Sequence, residues 1–398
     1  MIAERELEEA PDHVYNAAHT RHGRAMIAQH FEKHGFVIVR ALDRAQCLAN
    51  IKQQITEVLL KQPWRERLVV RDSQTGVELD IERDTERYIA ELTRPNLDKK
   101  TLDAYERVWP FHAGFGACCD PNIFHLSEVW KVRENRRLYA VARRILHCRR
   151  DLWVDINRSI QKLPGKGEQE FLHWDVPFLH LEHRRDQALG GKVMFTDGQF
   201  VCVPGTSTTA FRDQFRAAYA QHYPNAKASD AKFGLDRAKP DPLELVDAKV
   251  SVRVPAGCAI FWSQWLLHGM QKNPRRGSVQ FGMYLGYMPA VSRKQYRDKT
   301  GGVDEREDRL HSYYEGVAPQ LWPSLDRVHY YPARYVNFQR LLQPYIDKTR
   351  PGYPGLTKRI VKATGDVVDD IVPVPDRQYE PPPLTPLGER LLGLVQWD

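Results

Sequence analysis

Residues 171–175 of the chain read Phe-Leu-His-Trp-Asp, and the fold can be worked out from this stretch. Successive side chains of an extended strand point to opposite faces, so His173 and Asp175 share one face while Trp174 lies on the other. Two side chains at this spacing can bind a single metal ion. An isolated His-x-Asp also has an ordinary alternative, since the same residues at a strand end serve solubility or a local hydrogen bond.

A second stretch favours the metal interpretation. Residues 252–262 read Val-Arg-Val-Pro-Ala-Gly-Cys-Ala-Ile-Phe-Trp, which is typical of two strands joined by a Pro-Gly turn, and they lead to His268. Two histidines and one carboxylate from different strands can occupy one face of an Fe(II) ion and leave the opposite face open. The sequence therefore predicts a metal site built from His173, Asp175 and His268.

Two arginines, Arg275 and Arg276, follow His268 and precede a further predicted strand. Arginine presents a planar cationic fork that can hold a carboxylate through two parallel hydrogen bonds. Arg276 is the better candidate, because small and polar positions of the next strand then share its face, namely Ser278, Gln280 and Gly282. Arg275 stays open as the alternative.

The middle of the chain carries many short apolar runs separated by Gly and Pro. These predicted strands are residues 152–162, 171–175, 191–195, 200–203, 250–254, 259–262 and 278–287. Their number and spacing predict a β-sandwich or barrel. Helical patterns surround them, at residues 24–34, 43–60, 127–148, 211–220, 304–316 and 333–347. Residues 61–101 show no dominant period and are predicted to be irregular.

We interpret this arrangement as one domain with helices at both ends. Residues 1–288 form the domain, with a helical part at 1–150 and a strand-rich core at 151–288. Residues 289–398 form an extension rich in Tyr, Arg and Pro, and its aromatic residues are expected to pack on the core.

The composition is that of a globular protein. The chain has 398 residues, 42% of them hydrophobic and 27% charged, which is enough for one large core or two modest ones. No run of about 18 apolar residues occurs, so no membrane span is expected. The first residues are charged and lack a hydrophobic signal segment, which favours a cytoplasmic protein.

The formal net charge is +7 and the sequence pI is about 9.0. This balance is compatible with an anionic substrate or a nucleic acid. Because the 58 Lys and Arg face 51 Asp and Glu, a dispersed and solvated basic surface is the ordinary alternative. Charge alone does not choose between these partners.

Cysteine and histidine positions outside the predicted site favour no second metal centre. The six cysteines include no Cys-x-x-Cys pair, which favours reduced thiols. A zinc site remains an alternative that matches no familiar spacing, and its members would be His112, Cys118, Cys119 and His125. His180 and His183 are expected on the loop after Asp175 and not as ligands.

In this order of motifs the chain resembles the phytanoyl-CoA dioxygenase family of Fe(II)/2-oxoglutarate oxygenases. The resemblance covers roughly residues 24–288. Five stretches carry it: His34-Gly35-Phe36-Val37-Ile38-Val39; the helix at 127–148 and the strand after it; Leu163-Pro164-Gly165 through His173-Trp174-Asp175; residues 198–207, Gly-Gln-Phe-Val-Cys-Val-Pro-Gly-Thr-Ser; and Pro255-Ala256-Gly257 through His268-Gly269 and Asn273 to Arg276.

The resemblance implies a fold and a set of roles. The fold is mainly β, a double-stranded β-helix (a jelly-roll or cupin-like core) flanked by helices. Fe(II) is bound by the two histidines and Asp175, and the far carboxylate of the cosubstrate 2-oxoglutarate by Arg276. Gln161 resembles a polar contact to the cosubstrate, and Asn157 and Ser159, which share its strand face, are expected to face the substrate.

Three departures from the family pattern stand out. Arg276 follows His268 by fewer residues than is common, so the connecting turn must be shorter. Gly257-Cys258 replaces the usual Gly-Asp, and Thr206-Ser207 replaces Ser-His.

The activity implied is O2-dependent hydroxylation of a small or medium organic molecule, with release of succinate and CO2. Related halogenases lack the carboxylate that Asp175 supplies, which favours hydroxylation here. Two alternatives stay open. One is the same chemistry on a nucleobase or nucleic acid, and the other is a jelly roll that binds without catalysis.

Overall fold

The computed structural model describes residues 14–16, 21–57, 68–108, 117–118, 123–147, 152–157, 159–165, 172–175, 188–222, 224, 241, 243–269, 273, 277–290, 305–316, 356–360, 367–371 and 379–395. Its helices are α1 (Arg21–His34), α2 (Arg44–Ile55), α3 (Thr85–Thr93), α4 (Lys99–Val108), α5 (Ser127–Arg133), α6 (Arg136–Ile145), α7 (Thr209–His222), α8 (Glu305–Glu315) and α9 (Pro386–Leu392). None of these described helices is both long and apolar enough to cross a membrane.

The strands are β1 (Val14–Asn16), β2 (Phe36–Arg40), β3 (Ala117–Cys118), β4 (Leu152–Val154), β5 (Ser159–Lys162), β6 (Leu172–His173), β7 (Leu189–Met194), β8 (Gly198–Val203), β9 (Val250–Val254), β10 (Cys258–Ser263), β11 (Leu267–Gly269), β12 (Gln280–Tyr284), β13 (Tyr287–Pro289), β14 (Leu356–Ile360) and β15 (Val367–Ile371). The last two pair with each other as a separate antiparallel hairpin.

Most of the strands form two sheets. The large sheet has the order β1-β2-β10-β7-β12-β5-β3, with β13 joining β4 to β7, and the small sheet has the order β6-β11-β8-β9. From β5 to β12, the chain passes back and forth between the two sheets, and these pairings are antiparallel. This is the jelly-roll arrangement, so the prediction of a mainly β fold with helices at both ends is confirmed.

The two faces of the large sheet have different neighbours. Along β10, Ile260 and Trp262 point into the space between the sheets, where they meet Phe200 of the small sheet in one apolar cluster. Ala259 and Phe261 point the other way, into the larger core that includes residues of α2, α3, α5 and α6. We call the first face the barrel interior and the second the outer face.

The N-terminal helices cover the outer face, and their ends follow local capping chemistry. The Oδ1 of Asp43 accepts from the backbone N–H of Gln46 at 2.8 Å, and the Oε1 of Gln46 accepts from the N–H of Asp43 at 3.0 Å. This reciprocal pair starts α2 at the predicted place.

The prediction of a single helix over 127–148 was wrong, because the structure has two helices there. The break falls after α5 and before α6, where the side-chain oxygen of Asn135 accepts from the N–H groups of Arg137 and Leu138. A short amide side chain that competes for backbone donors starts a new helix more readily than it continues an old one.

The prediction of an irregular segment over 61–101 was also wrong where the structure describes it. α3 and the beginning of α4 lie within that range. α3 buries only Tyr88, Ile89 and Leu92. Three apolar residues in a highly charged stretch leave little periodic signal, and packing against the neighbouring helices stabilises them.

Two described helices of the C-terminal extension, α8 and α9, contact the core. Tyr313 of α8 and Leu391 and Leu392 of α9 belong to the large apolar cluster under the outer face. The backbone N–H and the hydroxyl of Thr385, which caps α9, both donate to Glu134 Oε2 at 2.9 Å. The helix predicted near 333–347 lies outside the described residues.

Candidate metal centre

Two neighbouring strands of the small sheet bring the predicted histidines together. β6 and β11 are antiparallel, and their register places His268 directly opposite His173. Directly opposed residues of two strands project on the same side of the sheet, and here the two ring centroids are 4.5 Å apart. Asp175 lies two residues beyond His173 and meets both rings.

The three side chains form a compact cluster of donor atoms. His268 Nε2 is 3.6 Å and His173 Nε2 is 3.9 Å from Asp175 Oδ1. One candidate ligand atom from each residue lies within 4.8 Å of the other two, which is close enough for a single ion to contact all three. Two imidazole nitrogens and one carboxylate oxygen are a donor set that Fe(II) accepts, so the residues present fit an iron ion.

His268 is held in the orientation that a metal ligand needs. Its Nδ1 lies 2.9 Å from the carbonyl oxygen of Leu266. Because a carbonyl can only accept, Nδ1 carries the proton and Nε2 keeps its lone pair for a metal. The ring stacks on Phe200 with centroids 5.6 Å apart, and the residue is buried.

Asp175 is oriented by a tryptophan. Trp262 Nε1 donates to Asp175 Oδ2 at 2.8 Å, which leaves Oδ1 facing the two histidines. The indole of Trp262 also packs on Phe200, with ring centroids 5.0 Å apart. The sequence gives no sign of this contact, because the hydrogen bond joins residues that are 87 positions apart.

Trp262→Phe is expected to weaken Fe(II) binding by about 10–100-fold, the usual cost of losing a partner that orients a metal ligand. Phenylalanine keeps most of the ring packing and removes the N–H that holds Asp175. Isothermal titration with Fe(II) under anaerobic conditions measures the change. Trp153→Phe alters a buried tryptophan of another cluster and is the matched control. Equal Fe(II) affinity in both variants would contradict the orienting role.

The structure places Gln161 away from the metal cluster. Its Nε2 donates to Gln54 Oε1 of α2 at 3.2 Å, so the side chain lies on the outer face of the large sheet. Ser159 shares that face by strand alternation, whereas Ile160 belongs to the cluster of the barrel interior. The alternation expected along this strand is present, but Ser159 and Gln161 face outward instead of inward. Lys162 lies on the interior face with Ile160.

Asn157 is also engaged elsewhere. Its Nδ2 donates to Asp155 Oδ2 at 3.0 Å, and its carbonyl accepts from Arg133 at 3.0 Å. The first contact is local, and the second ties the segment before β5 to α5. The structure therefore does not bring Asn157, Ser159 or Gln161 together with the His-Asp-His cluster.

The arginine candidates Arg275 and Arg276 lie outside the described residues, as do His180 and His183. The start of their loop is described at Asn273, which is buried. The Nδ2 of Asn273 donates to the carbonyl oxygens of Lys162 at 3.2 Å and of Ser278 at 2.8 Å. The loop between β11 and β12 is thereby fastened to the end of β5.

Among the described residues, nothing supports the alternative zinc site. His125 is buried, with its Nε2 2.9 Å from Ser312 Oγ and its Nδ1 accepting from Trp130 Nε1 at 3.2 Å. Both ring nitrogens are therefore engaged in packing contacts. His112 and Cys119 lie outside the described residues. Three cysteines that the structure describes are free and buried thiols, Cys47, Cys202 and Cys258.

Comparison with known proteins identifies the family of the chain. Residues 31–274, more than half of the chain, match the model of the family described as Phytanoyl-CoA dioxygenase (PhyH). The chain belongs to this family, and with its His-Asp-His cluster it is a non-haem oxygenase that uses Fe(II), 2-oxoglutarate and O2. No curated protein matches the sequence.

Several solved structures resemble the chain at low sequence identity. The non-heme monooxygenase ThoJ in a nickel complex is 16% identical, with a TM-score of 0.37 over 66% of this chain and 77% of that chain. SnoN, a non-heme alpha ketoglutarate dependent epimerase from nogalamycin biosynthesis, is 13% identical, with a TM-score of 0.39 over 68% and 85%. EctD from S. alaskensis in its apoform is 16% identical, with a TM-score of 0.38 over 70% and 82%. The family assignment rests on the sequence match and not on these likenesses.

Proposed function

We propose that the protein is a dioxygenase that hydroxylates a C–H bond of a small or medium organic substrate and releases succinate and CO2. One observation carries this proposal. Donor atoms of His173, Asp175 and His268 converge within 4.8 Å of one another on the interior side of a jelly roll. The carboxylate that Asp175 contributes favours hydroxylation over halogenation, because halogenating relatives lack it.

The chain's own residues position and shield the chemistry. When bound, Fe(II) with 2-oxoglutarate and O2 supplies the oxidising power for attack on a C–H bond. Leu266 O keeps the proton on Nδ1 of His268, and Trp262 holds one oxygen of Asp175, so both ligands are oriented before a metal arrives. Phe200 and its apolar neighbours exclude water from the same side.

The proposal also assigns the anchoring of the cosubstrate. Arg276 is proposed to bind the far carboxylate of 2-oxoglutarate, with Arg275 as the alternative. Support comes from Asn273, whose hydrogen bonds fix the beginning of their loop beside the ends of β5 and β12. We further propose that residues 1–288 form the oxygenase domain and that 289–398 form an extension packed upon it.

An anaerobic titration tests the proposed function. Adding 2-oxoglutarate to the Fe(II)-loaded protein is expected to produce the weak visible absorption band of the chelate. Addition of O2 is then expected to release succinate in an amount that depends on Fe(II). A protein that binds Fe(II) but shows neither the band nor succinate would overturn the proposal and favour a non-catalytic binding module.

Alanine variants at the two arginines show, in the same assay, which of them binds the far carboxylate of 2-oxoglutarate. Arg276→Ala is expected to weaken 2-oxoglutarate binding by at least about tenfold, because one partner of a charged pair is lost. Arg275→Ala is the matched control, since it removes the same charge from the neighbouring position. If only Arg275→Ala weakens binding, the register chosen for this strand is reversed.

A further inference from the structure

Two lysines face the barrel interior. Lys192 of β7 lies opposite Ile260 of β10 and Tyr284 of β12, both of which belong to or pack on the interior cluster. Lys162 of β5 alternates with Gln161, whose side chain is on the outer face. The two lysines therefore point to the interior side of the large sheet, where the other buried side chains are largely apolar.

Lys192 is buried next to the metal cluster. Its relative exposure is 9%, and its Nζ donates to the carbonyl oxygen of Gln199 at 2.6 Å. The Nζ also lies 5.4 Å from the ring centroid of Phe200, and Phe200 stacks on His268. One aromatic ring thus separates this ammonium group from a metal ligand.

The charge of Lys192 is poorly compensated by the described protein. No described residue forms an ion pair with it. Two influences shift its pKa, namely burial and the like charge of Lys162. Burial, followed by that repulsion, lowers the pKa of Lys192 to about 7, and burial lowers the pKa of Lys162 to about 8. One carbonyl and one ring face replace only part of the lost hydration.

A purely structural role does not explain this arrangement well. Lysines at a surface extend their amines to water along an apolar stem, but the Nζ of Lys192 turns inward to a backbone carbonyl. A methionine or leucine would fill the same volume without the cost of burying a charge. A bound anion, in contrast, would supply the opposite charge that no described residue offers to Lys192 through an ion pair.

We propose that Lys192 forms a cationic site inside the barrel, to whose positive charge Lys162 adds, and that this site binds a carboxylate group of a ligand. Two ligands can supply this chemistry: the far carboxylate of 2-oxoglutarate, or a carboxylate carried by the substrate. Naming the first of these rests on the proposed function, whereas the cationic site itself does not require it.

Lys192→Met is the variant that tests the site. Methionine has a similar length and volume, and it removes a buried charge, so the variant is expected to fold at least as stably as the wild type. Lys131→Met is the matched control, because Lys131 is a largely exposed lysine of α5. Lys162→Met is a second test variant, and it is expected to weaken the binding of the same ligand by a smaller factor.

The first arm compares two keto acids by calorimetry on the Fe(II)-loaded, anaerobic protein. 2-Oxopentanoate has the chelating end of 2-oxoglutarate but lacks its far carboxylate. If Lys192 binds that carboxylate, Lys192→Met weakens the binding of 2-oxoglutarate by at least about tenfold and leaves the binding of 2-oxopentanoate unchanged. The preference of the wild type for 2-oxoglutarate is also expected to decline as the pH rises above about 7, where Lys192 loses its proton.

The second arm tests the substrate as the source. Straight-chain monocarboxylates from butanoate to decanoate are titrated into the metal-free protein, and into the loaded protein saturated with 2-oxoglutarate. A monocarboxylate that binds the wild type at least about tenfold more tightly than Lys192→Met assigns the site to the substrate.

Equal binding of every acid to the wild type and to Lys192→Met overturns the cationic site. Failure of the wild type to bind Fe(II) overturns the proposed function instead, and the metal-free titrations still decide the role of Lys192.

Discussion

His268→Ala is expected to abolish tight Fe(II) binding and, with it, succinate release. The variant removes one of three donor atoms and opens space beside Phe200, against which the ring is stacked. Losing an outer partner of a metal ligand costs about 10–100-fold in affinity, and loss of the ligand itself is expected to cost more than that. The remaining His173 and Asp175 offer only two donors, which hold a ferrous ion weakly.

The same titration with two further variants separates a ligand from a packing residue. His268→Gln keeps a polar side chain of similar length but offers a poorer donor, so it is expected to restore folding without restoring affinity. His222→Ala removes an exposed histidine at the end of α7 and is expected to bind Fe(II) like the wild type. Circular dichroism checks that each variant is folded. Retention of wild-type affinity by His268→Ala would remove His268 from the metal site.

The closeness of the three metal-binding side chains could be predicted from the sequence, because it depends on two simple rules. Strand alternation places His173 and Asp175 on one face, and antiparallel pairing of β6 and β11 brings His268 opposite His173. Neither rule requires a distance to be known in advance. The chemistry of the donors then limits which ions the cluster suits.

Other features were decided by tertiary contacts that a sequence pattern does not contain. Which residues of β5 point inward depends on which of its faces meets α2. The stretch Ser-Ile-Gln-Lys has polar residues on both faces, so its pattern does not decide this. The resemblance to the family suggested Gln161 as a contact to the cosubstrate, whereas Gln161 meets Gln54 and Lys162 takes the interior position. A buried lysine is too uncommon for sequence reasoning to favour.

The attachment of the C-terminal extension was expected from its aromatic residues, but charged residues also contribute. Arg309 of α8 is 3% exposed, and its guanidinium donates to three backbone carbonyls. Two of them, Leu391 and Leu392, end α9, and the third is Val154 of β4. A cation suits the C-terminal carbonyls of a helix, which have no partners within the helix. One side chain therefore joins α8, α9 and the large sheet.

Arg309→Met is accordingly expected to lower the free energy of unfolding by about 3–5 kcal/mol, because buried carbonyls lose their charged donor together. Arg309→Lys is expected to recover little of it, since an ammonium group cannot reproduce the planar fork. Urea unfolding followed by fluorescence measures the loss.

Arg306→Met provides the matched control on the same helix. Arg306 donates to the carbonyls of Gly393 and Leu394 but is only part-buried, so water can replace its hydrogen bonds. A loss of about 1 kcal/mol is expected there. Fe(II) affinity of the folded protein should be unchanged in both variants, because neither side chain contacts the cluster. If Arg309→Met unfolds like Arg306→Met, the extension is attached mainly by its apolar residues, and the buried arginine is not what fastens it to the oxygenase core.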